Sequence, residues 1–378
     1  MKKKGKKVRN KNSINKKPLP KTIVYVVLLS VIVIAAFSRT TSFEFVNIDD
    51  SLLIHNNPIV TDSNVPYSQC FDYLLFHVHY KPIVFLTWKA QFDLMGGNPS
   101  HFHLFNWLFH LANTILLFFI GKVIFRDFYR DEKIVLFSAF ALAAFFSINP
   151  LRIESVAWAA ERKDVLFSFF FLGSWLLYIK YIKQNRYLLL ISASILYLMS
   201  GLSKSMGITL IAVIVLTDIW YNRGFNKRII LEKLPFLAVF ILLTYLYGLI
   251  DLASFFQANT ESIAAANPET AGIDQENHIT SVKSIQQLPF ILQWFFTTSA
   301  RFVLWILHSF IPVKLSVIYP HDKVFAFLGA SVFVFPIVII AIYYLAWRKR
   351  KHALPVLAGL IFWMVTLSPA LALSSSGQ

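Results

Sequence analysis

Long apolar blocks alternate with short polar connections along most of this chain. An apolar helix crosses bilayer hydrocarbon in about 20 residues, and about 17 can suffice. Blocks at positions 22–38, 101–125, 134–148, 165–182, 187–202, 206–221, 234–256, 324–347 and 353–373 meet or approach that length. The pattern predicts an all-α integral membrane protein, a polytopic bundle of about nine transmembrane helices. The block at 134–148 is the shortest.

The connections supply an orientation, because cytoplasmic connections carry an excess of Lys and Arg. With the N-terminus inside, Lys122, Arg126, Arg130 and Lys133 fall on the cytoplasmic side. So do Lys180, Lys183 and Arg186, then Arg223, Lys227, Arg228 and Lys233, then the run from Arg348 to Lys351. The apolar segment 285–313 is compatible with this only if it does not cross. A crossing would move the Arg348 run outside and place Arg301 near mid-bilayer, at a cost of about 2.5 to 3.5 kcal/mol. It is expected to form one or two interfacial or re-entrant helices on the outer face, as is 82–94. The domain organisation is then a basic cytoplasmic tail (1–21) and a membrane domain (22–378). The domain carries a first outer loop at 39–100, a second at 149–164, and a third with interfacial helices at 257–323.

Composition agrees. Of 378 residues 56% are hydrophobic and 15% charged, against about a quarter charged in soluble domains. The net charge of +16 would suggest nucleic acid in a soluble protein. Here much of it lies in the polar, Pro-containing tail, whose partner is the anionic cytoplasmic leaflet. One cysteine, Cys70, excludes an internal disulfide framework. No small-residue cleavage site follows the first apolar block, where Arg39, Thr40, Thr41, Ser42 and Phe43 stand, so that block reads as an uncleaved span.

This topology leaves Asp49, Asp50, Lys81, Glu154, Glu161, Arg162, Lys163, Asp164, Lys204, Arg301 and His321 on the outer side. Polar groups gathered at one membrane face are a functional-site hypothesis. Adjacent carboxylates such as Asp49 and Asp50 serve as a general base, as ligands for a hard cation, or only as a helix cap. Lys81 opens an apolar stretch, where it either snorkels to the interface or faces a lipid-linked phosphate. The charges between Asn149 and Asp164 read either as surface ion pairs, worth up to about 1 kcal/mol each, or as a binding loop. Lys204 joins two apolar spans with almost no loop and needs a partner. Among the histidines, His77, His79, His101, His103 and His110 lack the spacing of a zinc site and read as interface residues. No Walker loop, GxGxxG, GxSxG elbow or internal repeat is present.

With these residues laid out, the chain resembles the membrane half of the transmembrane and tetratricopeptide-repeat O-mannosyltransferases, polytopic glycosyltransferases of the GT-C type. The resemblance rests on six pieces in order: FVNIDD (45–50), YKPIVFLTW (80–88), HFHLFNWLFHLANTILLF (101–118), NPLRIESVAWAAERKDVLF (149–167), GLSKSMGITL (201–210) and LSVIYP (315–320). It implies a GT-C-like bundle and transfer of a mannose-like sugar from a polyprenyl or dolichyl phosphate donor. The acceptor is then a hydroxyl, protein Ser or Thr or a glycan, on the non-cytoplasmic face, with inversion at the anomeric carbon. Asp49 and Asp50 match the acidic pair that supplies the general base, so Asp50→Asn is expected to abolish transfer. Lys81, Glu154, Glu161, Arg162 and Lys204 match charged positions of the family. Together with Lys163 and Arg301 they are the expected binders of donor phosphate and substrate.

The chain departs from the family at Asn149 and Arg152, where His is common, and at Ser205, where an acidic residue occurs. Some GT-C enzymes use a divalent cation, so Mg or Mn on Asp49 and Asp50 is an open expectation. The second-loop motif favours a bacterial plasma membrane over the endoplasmic reticulum. The family's further spans and repeats imply a C-terminal truncation. The competing reading is a transporter or flippase for a lipid-linked anion; charges at one face, and no repeated halves, favour the enzyme.

Overall fold

The computed structural model describes residues 20–47, 49–72, 80–224, 226–264 and 307–312, with positions 341, 344 and 359. Among the described residues the regular structure is helical, without strands. The helices are α1 (Lys21–Phe37), α2 (Pro58–Thr61), α3 (Pro82–Met95), α4 (Pro99–Phe125), α5 (Glu132–Ile148), α6 (Arg152–Ala157), α7 (Arg162–Gln184), α8 (Tyr187–Ser203), α9 (Leu210–Trp220) and α10 (Lys227–Ala264). Single 3₁₀ turns lead into α7 (Ala159–Glu161) and α9 (Ser205–Thr209).

Local chemistry sets several boundaries. Asn98 caps α4 by accepting from the Ser100 N–H, with Pro99 at the first helical position, where its missing donor costs nothing. Asp131 caps α5 through the Lys133 N–H. α7 stops at Asn185, whose φ of 54° is the left-handed conformation that Asn tolerates.

Among the described residues four segments are long and apolar enough to cross a membrane: Lys21–Ser42, Pro99–Phe125, Ala159–Gln184 and Lys227–Leu249. Tyr187–Ser203 and Ser205–Trp220 are shorter apolar helices. The expected spans at 324–347 and 353–373, except positions 341, 344 and 359, and all of 285–313 except 307–312, lie outside the described residues.

Side-chain contacts order the bundle into two ends. At one, Lys122 at the end of α4 donates to Thr22 at the start of α1, and Lys183 at the end of α7 pairs with Asp127. Asp218 on α9 meets Arg223 at 3.0 Å and also pairs with Lys233 on α10. Glu232 on α10 pairs with Arg223 at 2.7 Å and with Arg228 at 3.1 Å. This is the basic end. At the other, Asn149 after α5 donates to the Ser309 carbonyl, which puts 307–312 beside the second loop.

The described residues between α1 and α4 form a folded cap rather than a loose loop. Leu53, Val60, Cys70, Val84, Phe85 and Trp88 form one buried cluster with Phe102 of α4 and Leu166 and Phe170 of α7. For the cap residues Leu53, Val60, Val84 and Phe85, burial away from water contributes roughly 1.5–3 kcal/mol each. Lys89 is fully buried there, donating to the Asp62 carbonyl and lying 3.4 Å from Asp93.

Between α8 and α9 the chain reverses tightly at Lys204. A Cβ placed on Gly207 would lie 2.6 Å from the backbone of Gly201 and Ser200, so only glycine permits this approach. Gly207→Ala is expected to destabilise the protein by about 1–3 kcal/mol through overpacking, read as a lower thermal midpoint in detergent. Gly248→Ala, with open space around it, is the matched control and should not lower it.

Candidate functional site

The charged residues cluster where α3, α7 and the α8–α9 reversal meet. Lys81 is the residue before α3, outside the helical conformation, followed by Pro82 at the first helical position. The Tyr247 hydroxyl of α10 donates to the Gly201 carbonyl at 2.6 Å and reaches the Tyr80 carbonyl at 3.5 Å, tying α10 to both Lys81 and the α8 terminus.

Asp164 sits in the first turn of α7, where the helix dipole favours an anion. It pairs with Lys204 and accepts from the Ser155 hydroxyl at 3.1 Å. Lys163 pairs with Glu161 at 2.6 Å. Burial works against the charge on Lys204, and the carboxylates of Asp164, Glu161 and Glu154 outweigh it, holding the ammonium above its ordinary range.

Two cations here have no acidic partner at ion-pair distance among the described residues. Burial, reinforced by the like charges of Lys163 and Lys204, pushes the Lys81 ammonium down to about 8. Arg152 lays its guanidinium over the Phe146 ring, 5.1 Å from the centroid, with its Nε unpartnered. Burial lowers it, and only Asp164 opposes that. Glu154, exposed at the edge, is pushed up by partial desolvation and then by Glu161 and Asp164.

The acidic doublet is split by its surroundings. Asp50 has no exposed surface: its Oδ1 accepts from the Ala160 N–H at 2.7 Å and its Oδ2 from the Val46 N–H at 2.9 Å. Burial still pushes its carboxyl above the usual range, against those two amides. Asp49 is half-buried and makes no side-chain hydrogen bond or ion pair among the described residues. The doublet therefore does not offer two free carboxylates to a divalent ion. Among the described residues no three His, Cys, Asp or Glu side chains converge as metal ligands.

Arg162 does not join the cluster. It is fully buried, with its Nε donating to Asn106 Oδ1 at 3.0 Å and its Nη2 to the Phe102 carbonyl at 3.1 Å on α4. Glu161 and Arg162 are thus interior residues of a helical turn, not charges on a surface loop. The histidines of α4 also differ from the interface reading. His103 and His110 are buried at 1% exposure, His103 edge-on to Phe43 and His110 against the Ser147 carbonyl at 3.0 Å. Helical periodicity turns them into the bundle. His77, His79, Arg301 and His321 lie outside the described residues.

Sequence reasoning passed over Asn106, and gave Arg152, read among the second-loop charges, no binding role. A polar amide inside the apolar run 101–118 was the available signal, since such residues in spans need partners.

No family model matches the chain. It is similar to the protein O-mannosyl-transferase TMTC2 of Homo sapiens, 26% identical over 279 residues, which are 68% of this chain and 32% of that protein. It is 30% identical over 159 residues to human protein O-mannosyl-transferase TMTC1, covering 39% of this chain and 17% of that one. The protein O-mannosyl-transferase F38B6.6 of Caenorhabditis elegans is 25% identical over 194 residues, 48% of this chain and 26% of its own length. The chain thus spans at most 32% of the length of these relatives. All three are animal proteins, which lends no support to the bacterial membrane expected from the second-loop motif.

The Lys204–Asp164 pair is half shielded, at 23% and 24% side-chain exposure. Lys204→Met leaves Asp164 without its cation and is expected to cost about 1–3 kcal/mol, below the range for fully buried pairs. Denaturant titration should show this loss, and Lys204→Met combined with Asp164→Leu should recover part of it.

Proposed function

We propose that this chain, a member of the TMTC-like family, forms the membrane-embedded catalytic part of an inverting glycosyltransferase that moves mannose from a polyprenyl phosphate to a protein Ser or Thr hydroxyl. The observation that carries the reading is the 2.7 Å bond from the Ala160 N–H to Asp50. It joins the acidic doublet of the first outer segment to the turn that leads directly into Glu161, Lys163 and Asp164. The site lies at the end opposite the basic connections, which supports a non-cytoplasmic location. The relatives are named as transferases, and none supports the transport alternative.

In this reading Asp49 is the general base. The acceptor oxygen attacks the anomeric carbon, its proton passes to the Asp49 carboxylate, and the bond from that carbon to the phosphate oxygen breaks. The leaving polyprenyl phosphate gains one negative charge. Lys81 and Arg152, the cluster's cations without a carboxylate at ion-pair distance among the described residues, are the groups proposed to meet it, whereas Lys163 and Lys204 are already paired with Glu161 and Asp164. Asp50, with no exposed surface, holds the loop on which Asp49 sits. Loss of activity in Asp50→Asn would then follow from displacement of its neighbour. Glu154 stands at the edge, where an acceptor chain would pass.

Asp49→Asn is expected to lower kcat by about 10²–10⁴-fold while leaving binding of dolichyl phosphate mannose unchanged. Retained turnover in a well-folded variant would remove Asp49 from the reaction. The pH profile tests Lys81 separately. The amine is charged below its folded value of about 8 and neutral above it, so kcat/KM should fall about tenfold per unit as pH rises past that value. Lys81→Arg should move that limb to higher pH. By linkage, the unfolded chain binds more protons between about 8 and the ordinary lysine value, so stability itself should rise across that window.

A further inference from the structure

We infer that Asn106 and Arg162 are positioning residues that clamp the 3₁₀ turn ahead of α7 so that it presents the Ala160 amide to Asp50. Asn106 lies within the apolar α4 with no exposed surface. Its Nδ2 donates to the Trp158 carbonyl at 2.9 Å and reaches the Ala159 carbonyl at 3.4 Å, while its Oδ1 accepts from Arg162. One side chain therefore bridges α4 to two consecutive carbonyls of the turn and to the arginine that follows it.

The guanidinium of Arg162 is in turn fixed by the Phe102 carbonyl and lies over the Phe102 and Phe105 rings, 5.3 and 5.9 Å from their centroids. A fully buried guanidinium with no carboxylate at hydrogen-bond distance is costly, and packing alone is better served by an apolar side chain. Here its hydrogen bonds hold Asn106 in the rotamer that faces the turn. With both carbonyls anchored to α4, the next amide, that of Ala160, points at the Asp50 carboxylate. Asp50 then takes up the Val46 N–H and so sets the path of the chain on both sides of Asp49.

Removing the Asn106 donor leaves these carbonyls only their backbone partners, the Glu161 and Arg162 amides, and cuts the turn's polar tie to α4. The untethered turn then shifts the Ala160 amide away from Asp50 and releases the acidic doublet. The inference rests on the proposed transfer reaction for its kinetic readout only; its structural readout is independent.

The test is amide hydrogen exchange on the full chain in nanodiscs, followed by mannose transfer from dolichyl phosphate mannose. Asn106→Leu removes all three contacts. Asn106→Asp keeps the shape and the Arg162 acceptor but loses the donor, which covers the case in which the leucine variant does not fold. Exchange at the Ala160 and Val46 amides should accelerate on the order of tenfold in both, with the α7 and α8 amides unchanged. Transfer should show kcat reduced on the order of tenfold with donor KM within about twofold, and Arg162→Lys should repeat the pattern because it cannot span Asn106 and Phe102 together. Unchanged exchange at Ala160 and Val46 in Asn106→Asp, or an acceleration spread evenly over α7 and α8, overturns the assignment. If the wild-type chain transfers no mannose while the exchange result holds, the reaction proposed above fails and the clamp stands.

Discussion

A carboxylate stripped of water must be given hydrogen-bond donors, and Asp50 draws its two from segments far apart in sequence. Val46 lies just before it and Ala160 lies 110 residues later. Without that bond the first outer segment would be attached to the bundle chiefly by apolar contact, which is strong but non-directional. Hydrophobic burial of Trp88, Phe85 and their neighbours gathers the cap onto α4 and α7; the buried acid decides how it is turned. Everything chemical at this end inherits its geometry from that choice, including which carboxylate of the doublet is left free.

The two ends of the bundle handle charge differently. At the basic end Asp218 and Glu232 are each met by two cations, so the ion pairs there form a closed network. In the cluster at the site end Lys163 and Lys204 are paired, whereas Lys81 and Arg152 have no carboxylate at ion-pair distance among the described residues. A protein that can neutralise its interior charges at one end has the means to do so at the other. An imbalance of this kind, held at some cost in desolvation, suits a surface that waits for an anion from outside the chain.

Much of this arrangement was legible in the sequence, and the failures have physical causes. Apolar block length located α1, α4, α7 and the α8–α9 hairpin to within a few residues, because backbone groups in hydrocarbon must be satisfied within a helix. Lys81, Glu154, Glu161, Lys163, Asp164 and Lys204 stood out together for the same reason, since polar residues are rare in such a chain. Their individual roles were not legible. Asp49 and Asp50 are chemically identical, and only the three-dimensional path of the 3₁₀ turn separates them. Arg162 reads as a phosphate ligand beside Glu161 and Lys163, yet the start of α7 rotates it by about 100° per residue away from them and into α4. Arg152 was read among the second-loop charges and as a departure from a family pattern, but was not singled out as a binding residue.

The shielded amine at Lys81 has a practical corollary. Most lysines remain protonated in mildly alkaline buffer and react sluggishly with acylating reagents, whereas one held near 8 is already largely nucleophilic there. This side chain is thereby a built-in handle for covalent probes, chemically distinguishable from the many ammonium groups of the basic tail and connections. A small electrophile carried on a lipid-like stem would find the reactive amine and the apolar helices in the same place. Such a molecule could mark the protein in an intact membrane without any engineered residue.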